Sequence, residues 1–231
     1  MKIGPVPYAT WIIWAILSVA TVFALVTQHW SNVFMIVTAL FLTVLPAILS
    51  RRFMLRLPLT FMAAISIFVF ATLFLGEVYA FYDRYWWWDV VLHGFSAVGF
   101  GIIGFIFMFY LFEGDKYAAP AWAISFMAFS FAVMIGAVWE IFEFGMDQLF
   151  GLNMQKSGLI DTMWDLIIDC IGAAIGALSG FFWMKGHQVG PAGMVKEFVE
   201  LNRRNFRKLR DKRDERKARR GDYRGIETDE T

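Results

Sequence analysis

Charged side chains are scarce in this chain, at 18% of 231 residues against about 25% in a soluble domain. Its single cysteine, Cys170, excludes an internal disulfide framework. There is no serine-nucleophile motif and no Cys–His pair, so covalent hydrolase chemistry has no signature here. No stretch shows a strand-like pattern, and no long internal repeat is present. What fills the chain instead is apolar and aromatic: 58% hydrophobic residues, with 25 Phe, 10 Trp and 12 Met. Such an excess is of the kind that faces lipid.

A membrane-spanning helix needs about 20 mostly apolar residues. Six stretches meet that length: Tyr8–Thr27, Val33–Ser50, Leu57–Gly76, Trp87–Phe112, Pro120–Phe150 and Ile160–Lys185. Each must be helical, because lipid offers no partner to backbone N–H and C=O groups. The expected fold class is therefore all-α, a polytopic helical bundle over residues 1–186 with a basic tail over residues 187–231. Ser18-Val19-Ala20 could pass for a signal-peptidase site, but the apolar run continues through Val26 and reads as an uncleaved anchor.

Basic residues divide between the two ends of these spans. The loops after the first, third and fifth spans hold no base, Arg84 and Lys156, respectively. The loop after the second holds Arg51, Arg52 and Arg56, and the one after the fourth holds Lys116; Lys2 and the tail fall on that same side. The positive-inside rule places both termini in the cytoplasm of a bacterial inner membrane. Residues 196–220 carry twelve Lys/Arg against five acids. Phe198, Leu201, Phe206 and Leu209 recur there near helical spacing. This tail reads as a solvated, partly helical or disordered extension, or as a helix lying on anionic inner-leaflet lipids. A juxtamembrane basic run gives no reason to invoke nucleic acid.

With that topology the ionisable residues of the spans collect at the outward end. Glu77 and Asp83 end the third span, and Asp89 and His93 open the fourth. Glu140, Glu143 and Asp147 close the fifth; Asp161, Asp165 and Asp169 open the sixth. Nine carboxylates thus face Arg84, Lys156 and His93. Spacings of three and four put each set on one helical face. Small residues continue the same faces inward: Gly94, Ala97, Gly101 and Gly104; Ala128, Ala132 and Gly136; Gly172, Gly176 and Gly180. Such residues let helix backbones approach closely in lipid, so spans four, five and six are expected to pack through them and bring the acids together. Asp169 sits about 12 Å along its helix from Asp161. A charge at that depth costs at least about 2.5–3.5 kcal/mol, which calls for a cation, protons, a base or water.

Several of these residues have ordinary explanations. Asp161 suits a helix N-cap. Asp147 and Glu77 suit solvated helix ends, and Arg84 suits an interfacial base or the partner of Asp83. His93 reads as a structural hydrogen-bonded residue as readily as a ligand. Tyr85-Trp86-Trp87-Trp88 reads as an aromatic belt. Glu140, Glu143, Asp165 and Asp169 resist such readings most.

The run from Asp83-Arg84 through Asp89-x-x-x-His93-Gly-Phe, the Trp-Glu140-x-x-Glu143-Phe segment, and Asp161-Thr-Met-Trp-Asp165-Leu-Ile-Ile-Asp169-x-x-Gly172-Ala-x-x-Gly176 resemble the YjdF-like bacterial inner-membrane proteins. More distantly they are similar to VanZ-like proteins, which carry an acid-to-His step followed by an Asp/Asn and Gly helix. The likeness covers roughly residues 76–180. Asp169 departs from it, standing where a VanZ-like protein has Asn. The YjdF-like family has no established activity, so the resemblance implies a fold and a site rather than a reaction.

Three functions fit these residues. One is a metal-dependent enzyme acting on lipid or cell-envelope substrates, with a divalent cation held among Asp89, His93, Glu140, Glu143, Asp165 and Asp169. Catalysis would then fall to Glu140, Glu143 and Asp165. Another is a non-catalytic subunit or scaffold with a membrane-protein partner. The third is a proton- or cation-linked transporter, disfavoured because the inner halves of spans four to six have no polar continuation and no broken-helix repeat.

Overall fold

The computed structural model describes residues 6–52, 55–112, 119–187 and 189–208, together with 211 and 215. Lys2, Lys116 and Leu209 lie outside the described residues. Among the described residues all regular structure is helical, and six helices are long and apolar enough to cross a membrane. Helix α1 is Tyr8–Val26 and α2 is Trp30–Arg52. Helix α3, Leu59–Val69, runs on as a π-helix over Phe70–Val78. The short α4, Phe81–Arg84, follows a left-handed Ala80. Helices α5 (Trp87–Leu111), α6 (Ala121–Phe150) and α7 (Leu159–Met184) complete the spans, and α8 is Ala192–Leu201.

Helices α1, α2 and α3 share one core built on Leu17, Ile36, Ala39 and Phe74. Hydroxyl and indole groups join them within the apolar layer: Thr10 donates to Ser66 at 2.9 Å and Trp14 Nε1 donates to Thr43 at 2.8 Å. In lipid, where apolar surface gives helices no reason to associate, such bonds and close packing hold the bundle together. The large outward side chains of these helices, Phe23 and Phe34 among them, remain exposed as lipid contact requires.

Helices α5, α6 and α7 pack more tightly, through the small residues expected from the sequence. A Cβ at Gly101 would come within 2.9 Å of the Ala173 carbonyl oxygen and the Gly176 Cα. One at Gly104 would come within 2.9 Å of the Ala128 carbonyl. Backbone therefore lies directly on backbone, which only glycine allows. Above this contact the phenyl rings of Phe105 and Phe109 meet Trp183, and Phe109 also meets Phe206 of the tail.

The tail's apolar residues separate into two fates. Val195, Phe198 and Phe206 are buried against the α5–α7 core, whereas Leu201 stays partly exposed. Asn202 is buried and ties this segment to the α2–α3 connection. Its Oδ1 accepts the Arg56 N–H at 2.8 Å, and its Nδ2 donates to the carbonyls of Arg56 (2.7 Å) and Phe198 (2.8 Å).

Candidate metal centre

The end of the bundle where α5 and α7 begin and α6 finishes carries the ionisable groups. The 3.6-residue turn puts Asp89 and His93 on one face of α5, and Asp165 and Asp169 on one face of α7. Close approach of α5 and α7 at Gly101 and Gly176 then turns those faces toward each other. On α6 the same stripe that carries Ala128 and Ala132 arrives at Gly136 and Glu140. A Cβ at Gly136 would overlap the Asp169 carboxylate, so its absence makes room for that side chain.

His93 is the hub. Its Nδ1 lies 3.3 Å from Asp169 Oδ1, while its Nε2 lies 3.8 Å from Asp89 Oδ1 and 3.9 Å from Glu140 Oε1. Ligand atoms from Asp89, His93 and Asp165 all fall within 4.8 Å of one another. His93, Glu140, Asp165 and Asp169 are buried, and the Asp89 side chain is 34% exposed. Both Glu140 oxygens, Asp165 Oδ2 and Asp169 Oδ2 are buried and have no hydrogen-bond partner among the described residues. Thr162 lies beside Glu140, but its hydroxyl accepts from Gln155 Nε2 at 2.6 Å, and no bond of good geometry reaches the carboxylate.

Four carboxylates therefore surround one imidazole in a region shielded from water. Buried polar oxygens are normally hydrogen-bonded, and a lone imidazolium balances one negative charge at most. A cation of about 2.0–2.6 Å bond length holds adjacent ligand atoms roughly 3–4 Å apart. The Nε2 separations from Asp89 and Glu140 match that spacing and are too long for hydrogen bonds. With Nδ1–H donated to Asp169, the lone pair of Nε2 is turned toward Asp89 and Glu140. A carboxylate behind a ligating histidine is the usual way of orienting such a ring.

The other acids named from the sequence occupy different settings. Glu143 lies one turn further out on α6 and accepts from Trp139 Nε1 at 2.9 Å, within electrostatic range of Glu140, Asp89 and His93. Asp147 accepts the backbone N–H groups of Met154 (2.7 Å) and Gln155 (2.9 Å), so it folds the α6–α7 connection rather than joining the cluster. Asp161 is not the N-cap of α7. Gly158 holds that position with a positive φ, and Asp161, in the first turn, accepts the Lys156 N–H at 3.1 Å. Glu77 is exposed at the end of the π-helix.

Asp83 pairs with Lys156 at 2.9 Å instead of with its neighbour Arg84, linking the turn before α5 to the connection before α7. The Lys156 ammonium holds the exposed Asp83 carboxyl below its usual range. A depressed carboxyl pKa contributes stability above the unfolded-state value, and that contribution fades as pH falls through the folded one. We expect Lys156→Met to return Asp83 to the ordinary carboxylate range, read by carboxyl-carbon NMR titration. The accompanying change in stability should be small at this degree of exposure.

The aromatic run divides where a belt was expected along its length. Trp86 is 85% exposed, but Trp88 buries its Nε1, which has no partner among the described residues. The signal was its helical phase, since Trp88 lies four residues before the buried Leu92.

The family described as a predicted membrane protein family, DUF2238, matches residues 9–186. The chain belongs to that family. Its DUF2238 segment takes in the six long helices of the described residues, all but Tyr8 at the start of the first, and every residue of the cluster. An uncharacterized protein of Thermotoga maritima is 32% identical over 104 residues, 45% of this chain and 53% of that protein. The chain thus spans about half the length of that curated relative. No solved structure matches. Membership in DUF2238 agrees with the membrane family implied by the YjdF-like motifs and carries no VanZ-like assignment.

Proposed function

We propose that this DUF2238 protein is a metal-dependent enzyme of the bacterial inner membrane, acting on a lipid or cell-envelope substrate at the outward face. In this reading both termini are cytoplasmic. The observation that carries it is the set of buried oxygens on Glu140 and Asp165, without a hydrogen-bond partner among the described residues, gathered around the His93 ring. Asp89, His93, Glu140 and Asp165 would hold the cation, and Asp169 would orient the imidazole. Oxygen-rich ligation with one nitrogen suits Mg, Mn or Ca and also admits Zn or Fe.

A cation so placed supplies Lewis acidity toward a carbonyl or phosphoryl oxygen and lowers the pKa of a bound water. Glu143, one turn nearer the surface and steadied by Trp139, is positioned to take up a proton. Asp89 is the most exposed of the four ligands and marks the open side of the site.

Elemental mass spectrometry of purified protein tests the reading. Wild type should carry stoichiometric divalent metal, and Glu140→Gln/Asp165→Asn should carry none at equal yield. Metal-dependent release of product from lipid-linked phosphate or ester substrates should disappear with it. Equal metal in both proteins would overturn the site. Metal without turnover on any such substrate would leave a structural ion, as in a non-catalytic subunit of a membrane complex.

A further inference from the structure

The end of the bundle opposite the acidic cluster has its own charged feature. Arg56, from the α2–α3 connection, and Leu201, Arg204, Asn205 and Lys208, from the tail, line an open cavity of about 520 Å3. Three of these five side chains are cationic and none is acidic. The α8 segment is held in place by buried Val195, Phe198 and Phe206 and by the Asn202 bonds to the Arg56 backbone. Arg56 and Arg204 are therefore brought together by a docked tertiary contact between positions 148 residues apart in sequence, rather than by local charge clustering. Arg204 and Lys208 lie four apart on one helical face, so both reach the same side.

We propose that this cavity binds the phosphate of an anionic phospholipid headgroup. The cavity lies where α2 ends and α3 begins, at the level where a headgroup meets a spanning helix. Guanidinium groups suit phosphate oxygens through paired N–H donors, and Lys208 adds a point charge. Leu201 adds an apolar side chain to the lining. Its volume is within the range of small-molecule sites, which are about 300–1,000 Å3. The cavity shares no lining residue with the cation site.

The test uses the full-length protein in detergent micelles with fluorescent short-chain phosphatidylglycerol, and phosphatidylcholine as the comparison. Wild type should prefer phosphatidylglycerol. Arg204→Gln/Lys208→Gln should lose at least tenfold of that preference, and Arg203→Gln/Arg207→Gln, which removes the same charge outside the cavity, should stay within twofold. Arg56→Gln provides a second variant with the same expected loss of preference, because Asn202 bonds the backbone of Arg56 and not its side chain. Equal loss in both double variants would overturn the proposal in favour of bulk charge. Displacement of the probe by millimolar inorganic phosphate, with no preference for the lipid form, would overturn the lipid assignment.

Discussion

Gly176→Leu is expected to abolish the folded monomer. A Cβ at this position would overlap the Val98 carbonyl oxygen and stand 2.9 Å from the Gly101 Cα. Both neighbours are main chain and cannot rotate aside, so α5 and α7 would have to separate along their length. Overpacking a core costs about 1–3 kcal/mol and occasionally more. In lipid no hydrophobic gain restores the contact, because acyl chains solvate the parted helices as well as each other. Separation would also carry Asp169 away from His93. Gly99→Leu on the facing helix α5 is the control, since no atom of the described residues lies within 4 Å of its added Cβ. Fluorescence-detected size exclusion should show a monodisperse peak for Gly99→Leu and aggregate or no peak for Gly176→Leu. A well-behaved Gly176→Leu protein with intact metal content would refute backbone-on-backbone packing here.

His93→Gln should reduce bound cation to background, whereas Asp169→Asn should weaken it by about 10- to 100-fold without eliminating it. The two differ because His93 offers a ligand atom and Asp169 acts through the ring. An amide at position 169 can donate to Nδ1, which favours the tautomer bearing its proton on Nε2 and closes the lone pair to a cation. Asp147→Asn separates site from scaffold: Asp147 accepts two backbone N–H groups in the α6–α7 connection, so its loss should lower thermal stability and leave affinity unchanged at temperatures where the protein is folded. Competition against a metallochromic indicator reads all three affinities. Equal effects of Asp169→Asn and Asp147→Asn would remove Asp169 from its orienting position.

Much of this arrangement was legible in order along the chain. Six apolar runs mark six long helices because a span must be both apolar and helical, and the observed boundaries fall within a few residues of the runs. Gly172, Gly176 and Gly180 at four-residue spacing announced a close face on α7, since small residues have little other use in a lipid-facing helix. Asp89–His93 and Asp165–Asp169 could likewise be paired onto faces by the helical period alone.

Other features depend on which atoms meet across helices. Asp147 and Asp165 are both acids near the same end of the bundle, yet one accepts backbone amides in a connection while the other keeps a buried oxygen without a partner among the described residues. Asp83 has Arg84 beside it in sequence and Lys156 beside it in space. Trp86 and Trp88 are two residues apart, but one is exposed and the other buries its indole nitrogen. The tail's Phe198 and Phe206 join the core of α5, α6 and α7, and Arg56 and Arg204 come to share one cavity.

By itself the sequence determined the membrane class, the number of spans, the faces that pack and the end at which the acids gather. These follow from composition and from the 3.6-residue period, which act locally. The tertiary structure alone decided that Asp169 takes Nδ1 of His93, that Asp89 and Glu140 flank Nε2, and that the tail docks against the opposite end. Those outcomes depend on the rotation and approach of helices fixed by Gly101 on Gly176, which a local period along one chain segment does not specify.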